Sequence, residues 1–76
     1  MRLIRINDIA KDTAWNFILE YRPKPQTSDI LQILREGLLA EVVKGNRVPH
    51  RFSQRKAIAE VRRRIKWGLF GRPKKS

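Results

Sequence analysis

A chain of 76 residues with 18 Lys/Arg, 7 Asp/Glu and a formal net charge of +11 can form one small domain and leaves little room for a deep catalytic pocket. With no cysteine, one histidine and few acids, it favours neither a disulfide framework nor a metal site. Because it also lacks an apolar run long enough to span a bilayer and the apolar core of a signal peptide, we expect a cytoplasmic protein. We further expect that it is not an enzyme and has no cofactor and no small-molecule substrate. Its positive charge predicts that it binds a polyanion.

The charge is distributed unevenly along the chain. Residues 1–43 carry six Lys/Arg and six Asp/Glu, so this part is neutral. Residues 44–76 carry twelve Lys/Arg against one acid, Glu60. The whole excess of positive charge therefore lies in the second part, which predicts a basic surface there.

The first elements in chain order are a short strand and a helix. Residues 3–6 alternate polar and apolar side chains weakly and could form a short strand that pairs with the edge of the β-hairpin predicted further along the chain. Asn7 or Asp8 is expected to cap a helix that runs to about Tyr21. Trp15 falls within the apolar pattern of this helix, so it is the expected anchor of the core.

A proline-rich link separates this helix from the next one. Pro23 and Pro25 each lack an amide donor and restrict the preceding residue, which ends the helical pattern. Thr27 or Ser28 then provides an N-cap, and Gly37 is the expected end of the second helix. The two helices form a helix-turn-helix candidate, an arrangement that small helical proteins also use without touching DNA.

The stretch 41–52 predicts a β-hairpin. The dipeptide Gly45-Asn46 lies between runs rich in β-branched residues, and both residues tolerate the positive φ angles of a tight turn. Pro49 cannot donate a ladder hydrogen bond, so the returning strand is expected at an edge. Its cations either contact a partner or only protect the edge from aggregation.

A third helix follows, from about residue 54 to residue 66. Ser53 is its expected N-cap, with Phe52 packing back on Ala57. We therefore expect a domain over residues 1–66 and a basic C-terminal tail over residues 67–76. The tail combines three bulky apolar residues with Arg72, Lys74 and Lys75. Such a tail either folds back on the core or docks on a partner.

The order of elements predicts a mainly α fold with a small β-hairpin, that is, a winged helix-turn-helix with three helices and a two-stranded wing. The layout is carried by Ile6 to Ala10 opening the first helix, Arg35 to Leu39 in the second, the Lys44 to Arg47 turn, and Arg51 to Ser53 before the third. Over about residues 3 to 62 it resembles the small phage excisionases of the winged-helix, MerR-related type. The resemblance implies that the helix before the wing enters the major groove, that the wing touches the minor groove, and that several copies bend the DNA and assist an integrase.

Interface residues are expected in four places. The resemblance implies that Thr27, Ser28, Gln32 and Arg35 face the groove and that Lys44, Arg47 and Arg51 belong to the wing, where His50 is a phosphate contact or a plain surface residue. Arg55, Arg62, Arg63 and Arg64 are expected to contact the DNA backbone. Trp67, Leu69 and Phe70 are the expected contacts with an integrase or with adjacent copies on DNA.

Other function classes remain open. A transcriptional repressor would use the same double-stranded DNA interface, in the nucleoid. An RNA-binding or ribosome-associated protein is equally basic, and Trp67 and Phe70 could stack on unpaired bases. A protein-directed module could use the third helix to bind an acidic partner or a membrane surface. Competition between duplex DNA, folded RNA and anionic vesicles separates these classes.

Overall fold

A computed structural model describes residues 2–71, which form three helices: α1 (Ile6–Leu19), α2 (Thr27–Val43) and α3 (Gln54–Phe70). Helices α1 and α2 run antiparallel. Near the start of α1, Ile9 lies against Gly37 of α2, whereas Arg22, just beyond the end of α1, forms an ion pair of 2.9 Å with Asp29 in the first turn of α2.

The core lies where the three helices meet. It consists of ten buried apolar residues, namely Ile4, Ile9, Ala10, Ala14, Phe17, Ile30, Leu34, Ala57, Val61 and Ile65. Burying each of the larger ones stabilises the fold by roughly 1.5–3 kcal/mol. Ile4 belongs to this core although it precedes α1, so the N-terminal segment is held against the helices.

The predicted two-stranded wing is wrong, and with it the winged-helix fold class. Within residues 2–71 there is no strand or sheet, only an isolated parallel bridge between Leu3 and Arg47. There the amide of Ile4 donates to the carbonyl of Arg47 at 2.9 Å, and the amide of Arg47 donates to the carbonyl of Arg2 at 2.8 Å. The described chain is therefore an all-α, three-helix domain with a short extended N-terminal segment.

The residues predicted to turn the hairpin end a helix instead. Helix α2 continues through Val43, and Gly45 follows it with a φ of 87°. The amide of Gly45 donates to the carbonyl of Val42 at 2.9 Å, and the amide of Asn46 donates to that of Glu41 at 3.0 Å. These two bonds are the pattern in which a left-handed residue closes a helix C-terminus. A positive φ at Gly45 serves this cap as well as it would serve a hairpin turn.

The expected end of the second helix at Gly37 is also wrong. Gly37 lies in the middle of α2, where a Cβ atom would approach the Cγ2 atom of Ile9 to 3.1 Å. The glycine therefore marks a close approach of α1 to α2, which is a packing role and not a helix end.

Trp15 is not the anchor of the core, because its side chain is 50% exposed. The buried face of α1 runs through Ala10, Ala14 and Phe17, and Phe17 is the largest side chain in the core. Trp15 is next to Ala14 in sequence, so it points about 100° away from that residue and lies at the margin of this face.

The N-cap residue was predicted correctly for one of the three helices. The hydroxyl of Ser53 accepts from the amide of Lys56 at 3.2 Å, as an N-cap does, and Phe52 is half-buried against the core. Helix α1 starts after Arg5, and Asp8 lies inside its first turn, where its carboxylate accepts from the amide of Arg5 at 3.2 Å. Helix α2 is preceded by Gln26 as its N-cap, in place of the expected Thr27 or Ser28.

Candidate nucleic-acid interface

The outer side of α3 is a surface of positive charge. Its buried residues Ala57, Val61 and Ile65 recur every fourth position and form one side of the helix, so the residues on the opposite side point away from the core. Ala59 is exposed at the centre of the opposite side. Within α3, its neighbours three and four positions away on either side, and seven positions after it, are all basic and exposed, and together they define the cationic face: Arg55, Lys56, Arg62, Arg63 and Lys66.

One acid partly neutralises an edge of this face. The carboxylate of Glu60 accepts a hydrogen bond from Arg63, and it accepts another from Nε of Arg64 at 2.6 Å. Burial of this carboxylate raises its pKa, but the hydrogen bonds and charges of the two arginines outweigh that effect. The pKa of Glu60 is therefore lowered below its ordinary value of 4.5. Glu60 is ionised at neutral pH and holds both guanidinium groups along the helix.

Arg62 is used to join two helices. One of its terminal nitrogens donates to the carbonyl of Pro25 at 3.1 Å, and the other donates to the hydroxyl of Thr27 at 3.1 Å. The planar guanidinium suits two such acceptors at once. The predicted DNA contacts at Thr27 and Arg62 therefore bond to each other, and a phosphate would have to compete with these bonds.

The other three cations of α3 are differently placed. Arg55, Lys56 and Lys66 are exposed, and none of them forms an ion pair with another residue within 2–71. Their charges are available to an outside anion without first breaking an internal contact. Sequence reasoning left Lys56 and Lys66 out of the interface, although helical spacing places both next to Ala59.

The residues predicted for the wing lie on an irregular loop between α2 and α3. Lys44, Arg47, His50 and Arg51 are all exposed, and the Lys and the two Arg residues add positive charge before α3 begins. Lys44 lies 3.9 Å from the carboxylate of Glu41, whereas Arg47 is held through its backbone. Without a hairpin, these cations have no rigid ladder to insert into a minor groove.

The residues predicted to face the groove lie on α2. Ser28, Gln32 and Arg35 are exposed and share one side of the helix, together with Glu36 and the apolar Leu39. This placement agrees with the predicted exposure of Gln32 and Arg35 but does not bring them into contact with the cations of α3 that are described above.

The residues predicted to bind a partner form the last turn of α3, because the helix continues beyond Lys66 to Phe70. Trp67 is half-buried, and the guanidinium of Arg63 lies over its ring at 5.7 Å. Leu69 packs against the core, whereas Phe70 is 72% exposed. Of the three, Phe70 presents the largest apolar surface to a partner. The predicted cations Arg72, Lys74 and Lys75 lie outside the described residues.

A groove between α1 and α3 adjoins this end of the cationic face, and sequence reasoning missed it. Trp15 and Trp67 form its walls, and its volume is about 380 Å³. Ala14, Ile18 and Gly68 form its floor, and Lys11 and Arg64 lie at its rim. We call this site the tryptophan groove. The sequence contained one signal for this groove. Lys11 is polar and lies four positions before Trp15, which places it on the same side of the helix as Trp15.

Two further properties of residues 2–71 bear on the function. They contain no group of three or more His, Asp or Glu side chains placed to hold a metal ion. None of their helices combines the length and the apolar character needed to cross a membrane.

Comparisons with protein families, with curated proteins and with solved structures found no match to this chain.

Proposed function

We propose that this protein binds double-stranded DNA through the cationic face of α3. The observation that carries the proposal is the ring of five exposed Lys/Arg around Ala59, of which Arg55, Lys56 and Lys66 form no side-chain hydrogen bond or ion pair within residues 2–71. Unbalanced charge of this density repels itself and is relieved by a polyanion. Phosphate groups are the most regular source of such charge, and their neutralisation releases counterions.

The shape of the face suits a duplex. An α-helix fits the width of the DNA major groove, and the small side chain of Ala59 allows the helix axis to come close. Arg55 and Lys66 are eleven residues apart, about 16 Å along the helix, so they can reach phosphates several nucleotides apart. Lys44, Arg47 and Arg51 on the preceding loop add charge that steers the protein to the same polyanion.

These contacts position the protein and carry no sequence information of their own. Sequence-specific reading by Gln32 and Arg35, DNA bending and assistance to an integrase stay predictions of the sequence and its resemblance to excisionases. The predicted minor-groove contact of a wing is no longer among them, because the wing is absent from residues 2–71.

The test removes two unpaired charges from α3. Arg55→Gln combined with Lys66→Gln keeps good helix formers and should flatten the plot of log affinity against log salt by about 1.8, roughly 0.9 for each lost phosphate contact. The measurement is fluorescence anisotropy of a labelled, fully paired duplex over a series of salt concentrations.

A matched control removes the same charge elsewhere. Arg5→Gln combined with Lys24→Gln changes two exposed cations outside α3 and should leave the slope nearly unchanged. Equal slopes for the two variants would show that α3 does not contact the phosphates. Stronger competition by folded RNA or by anionic vesicles than by duplex DNA, at one salt concentration, would contradict the assignment to DNA.

A further inference from the structure

We infer that the tryptophan groove binds an unpaired nucleobase of a nucleic acid chain whose phosphates lie on the cationic face of α3, an inference that rests on the proposed function. The groove then supplies a preference for bulged or single-stranded sites that the cationic face alone cannot supply.

The form of the groove suits a nucleobase. Its volume of about 380 Å³ is within the range of sites that hold small ligands. A Cβ atom at position 68 would clash with the Cδ1 atom of Ile18, so Gly68 permits the close approach of α1 and α3 that forms the floor. Above this floor, Trp15 is half exposed, which leaves part of an indole ring in water where it can stack on a flat partner.

The charge of the groove also suits a nucleotide. Among residues 2–71 no carboxylate lines the groove, whereas Lys11 and Arg64 lie at its rim. Glu60 binds Nε of Arg64, and this bond holds the guanidinium in place beside the groove. Lys11 forms no ion pair within residues 2–71, so its charge would repel a flat cation and attract an uncharged flat ring attached to an anion. Nucleotides have that chemistry, since the base is planar and the phosphate is negative.

The groove is continuous with the proposed DNA interface. Lys56, Arg63 and Trp67 follow one another at spacings of seven and four residues, so they form one stripe along α3. The guanidinium of Arg63 lies 5.7 Å from the ring centroid of Trp67 and links the cationic face to the wall of the groove. A nucleic acid backbone on this stripe passes beside the groove, and an unpaired base can turn into it.

The experiment compares two labelled duplexes of equal length, one fully paired and one with a single unpaired base, by anisotropy at one salt concentration. The full chain should bind the bulged duplex more tightly. Trp15→Ala should weaken binding to the bulged duplex roughly ten- to hundredfold and leave binding to the paired duplex unchanged. Trp15→Phe keeps a stacking ring and should retain most of the preference.

The control is Leu19→Ala, one turn further along α1 at a residue that is 72% exposed and does not line the groove. It should change neither affinity. Circular dichroism verifies that each variant is folded. If Trp15→Ala does not fold, the test uses two separate variants, Trp15→Phe and Lys11→Gln. Lys11→Gln should weaken binding only to the bulged duplex.

Equal affinity of the full chain for both duplexes, or equal losses on both after Trp15→Ala, would overturn the inference and leave the proposed function intact. Failure to bind either duplex at low salt would overturn the proposed function itself.

Discussion

Six Lys/Arg residues lie on α3, and they form two groups of three. Arg62, Arg63 and Arg64 are bound to oxygen atoms of the protein, whereas the side chains of the other three form neither a hydrogen bond nor an ion pair within residues 2–71. The members of the second group are Arg55, Lys56 and Lys66. In the sequence the run of three arginines is the more conspicuous signal. The structure shows that charge counted along a chain differs from charge that is available to a ligand, because internal acceptors compete for it.

The largest expected effect is on the stability of the fold, which a substitution in the first group should lower and one in the second group should not. Arg62→Ala removes the bonds from α3 to Pro25 and Thr27 and should lower the free energy of unfolding by about 1–2 kcal/mol, since hydrogen bonds from a charged donor are lost at a partly exposed site. For a domain of this size, the melting temperature should fall by about 4–8 °C per kcal/mol. Thermal unfolding followed by circular dichroism measures this change.

Arg55→Ala is the matched control, because it removes the same residue type from the same helix without breaking an internal bond in the described chain. It should change the stability by less than about 0.5 kcal/mol. If the two variants melt at the same temperature, the division into two groups has no energetic basis.

A smaller effect is expected when Arg63 and Arg64 are released from their internal bonds and so pass from the first group to the second. Glu60→Gln releases Arg63 and Arg64, so affinity for a paired duplex should rise and the salt slope should steepen by up to about 1.8, roughly 0.9 for each arginine that reaches a phosphate. Glu36→Gln, at an exposed acid of α2, changes the net charge equally and is the control. Equal gains from both variants would mean that only net charge matters.

The smallest expected effect is a dependence of stability on pH. The pKa of Glu60 is lowered in the folded chain, so its contribution is fully present above the ordinary value of 4.5 and is lost as the pH falls through the lowered, folded-state pKa. The loss should be below about 1 kcal/mol, as is usual for partly exposed ion pairs.

This effect appears as a difference between two titrations. Urea unfolding from near-neutral to acidic pH should show a steeper loss of stability in the full chain than in Glu60→Gln. Parallel curves would show that the two ion pairs do not contribute to the stability of the fold.

The Gly45-Asn46 dipeptide explains why part of the fold could be predicted and part could not. The positive φ of Gly45 was predictable, because glycine favours that conformation wherever a chain must turn. Whether the turn would close a hairpin or end a helix depended on residues 38–43. These residues are helical in a structure where Gly37 lets α1 approach and Leu38 packs against the core. The preference of valine for strands yielded to that packing.

The sequence by itself determined the features that depend on neighbouring residues: three helical segments, the cap at Ser53, and a third helix with an apolar face opposite a basic one. Their interactions span at most one or two turns of helix, so spacing and residue type suffice to predict them. Only the tertiary structure decided that Arg62 bonds to residues 35 and 37 positions away, that Trp15 lines a groove, and that the wing is absent from the described chain. Those outcomes depend on which helices meet and how closely, and local periodicity does not specify the contacts between helices.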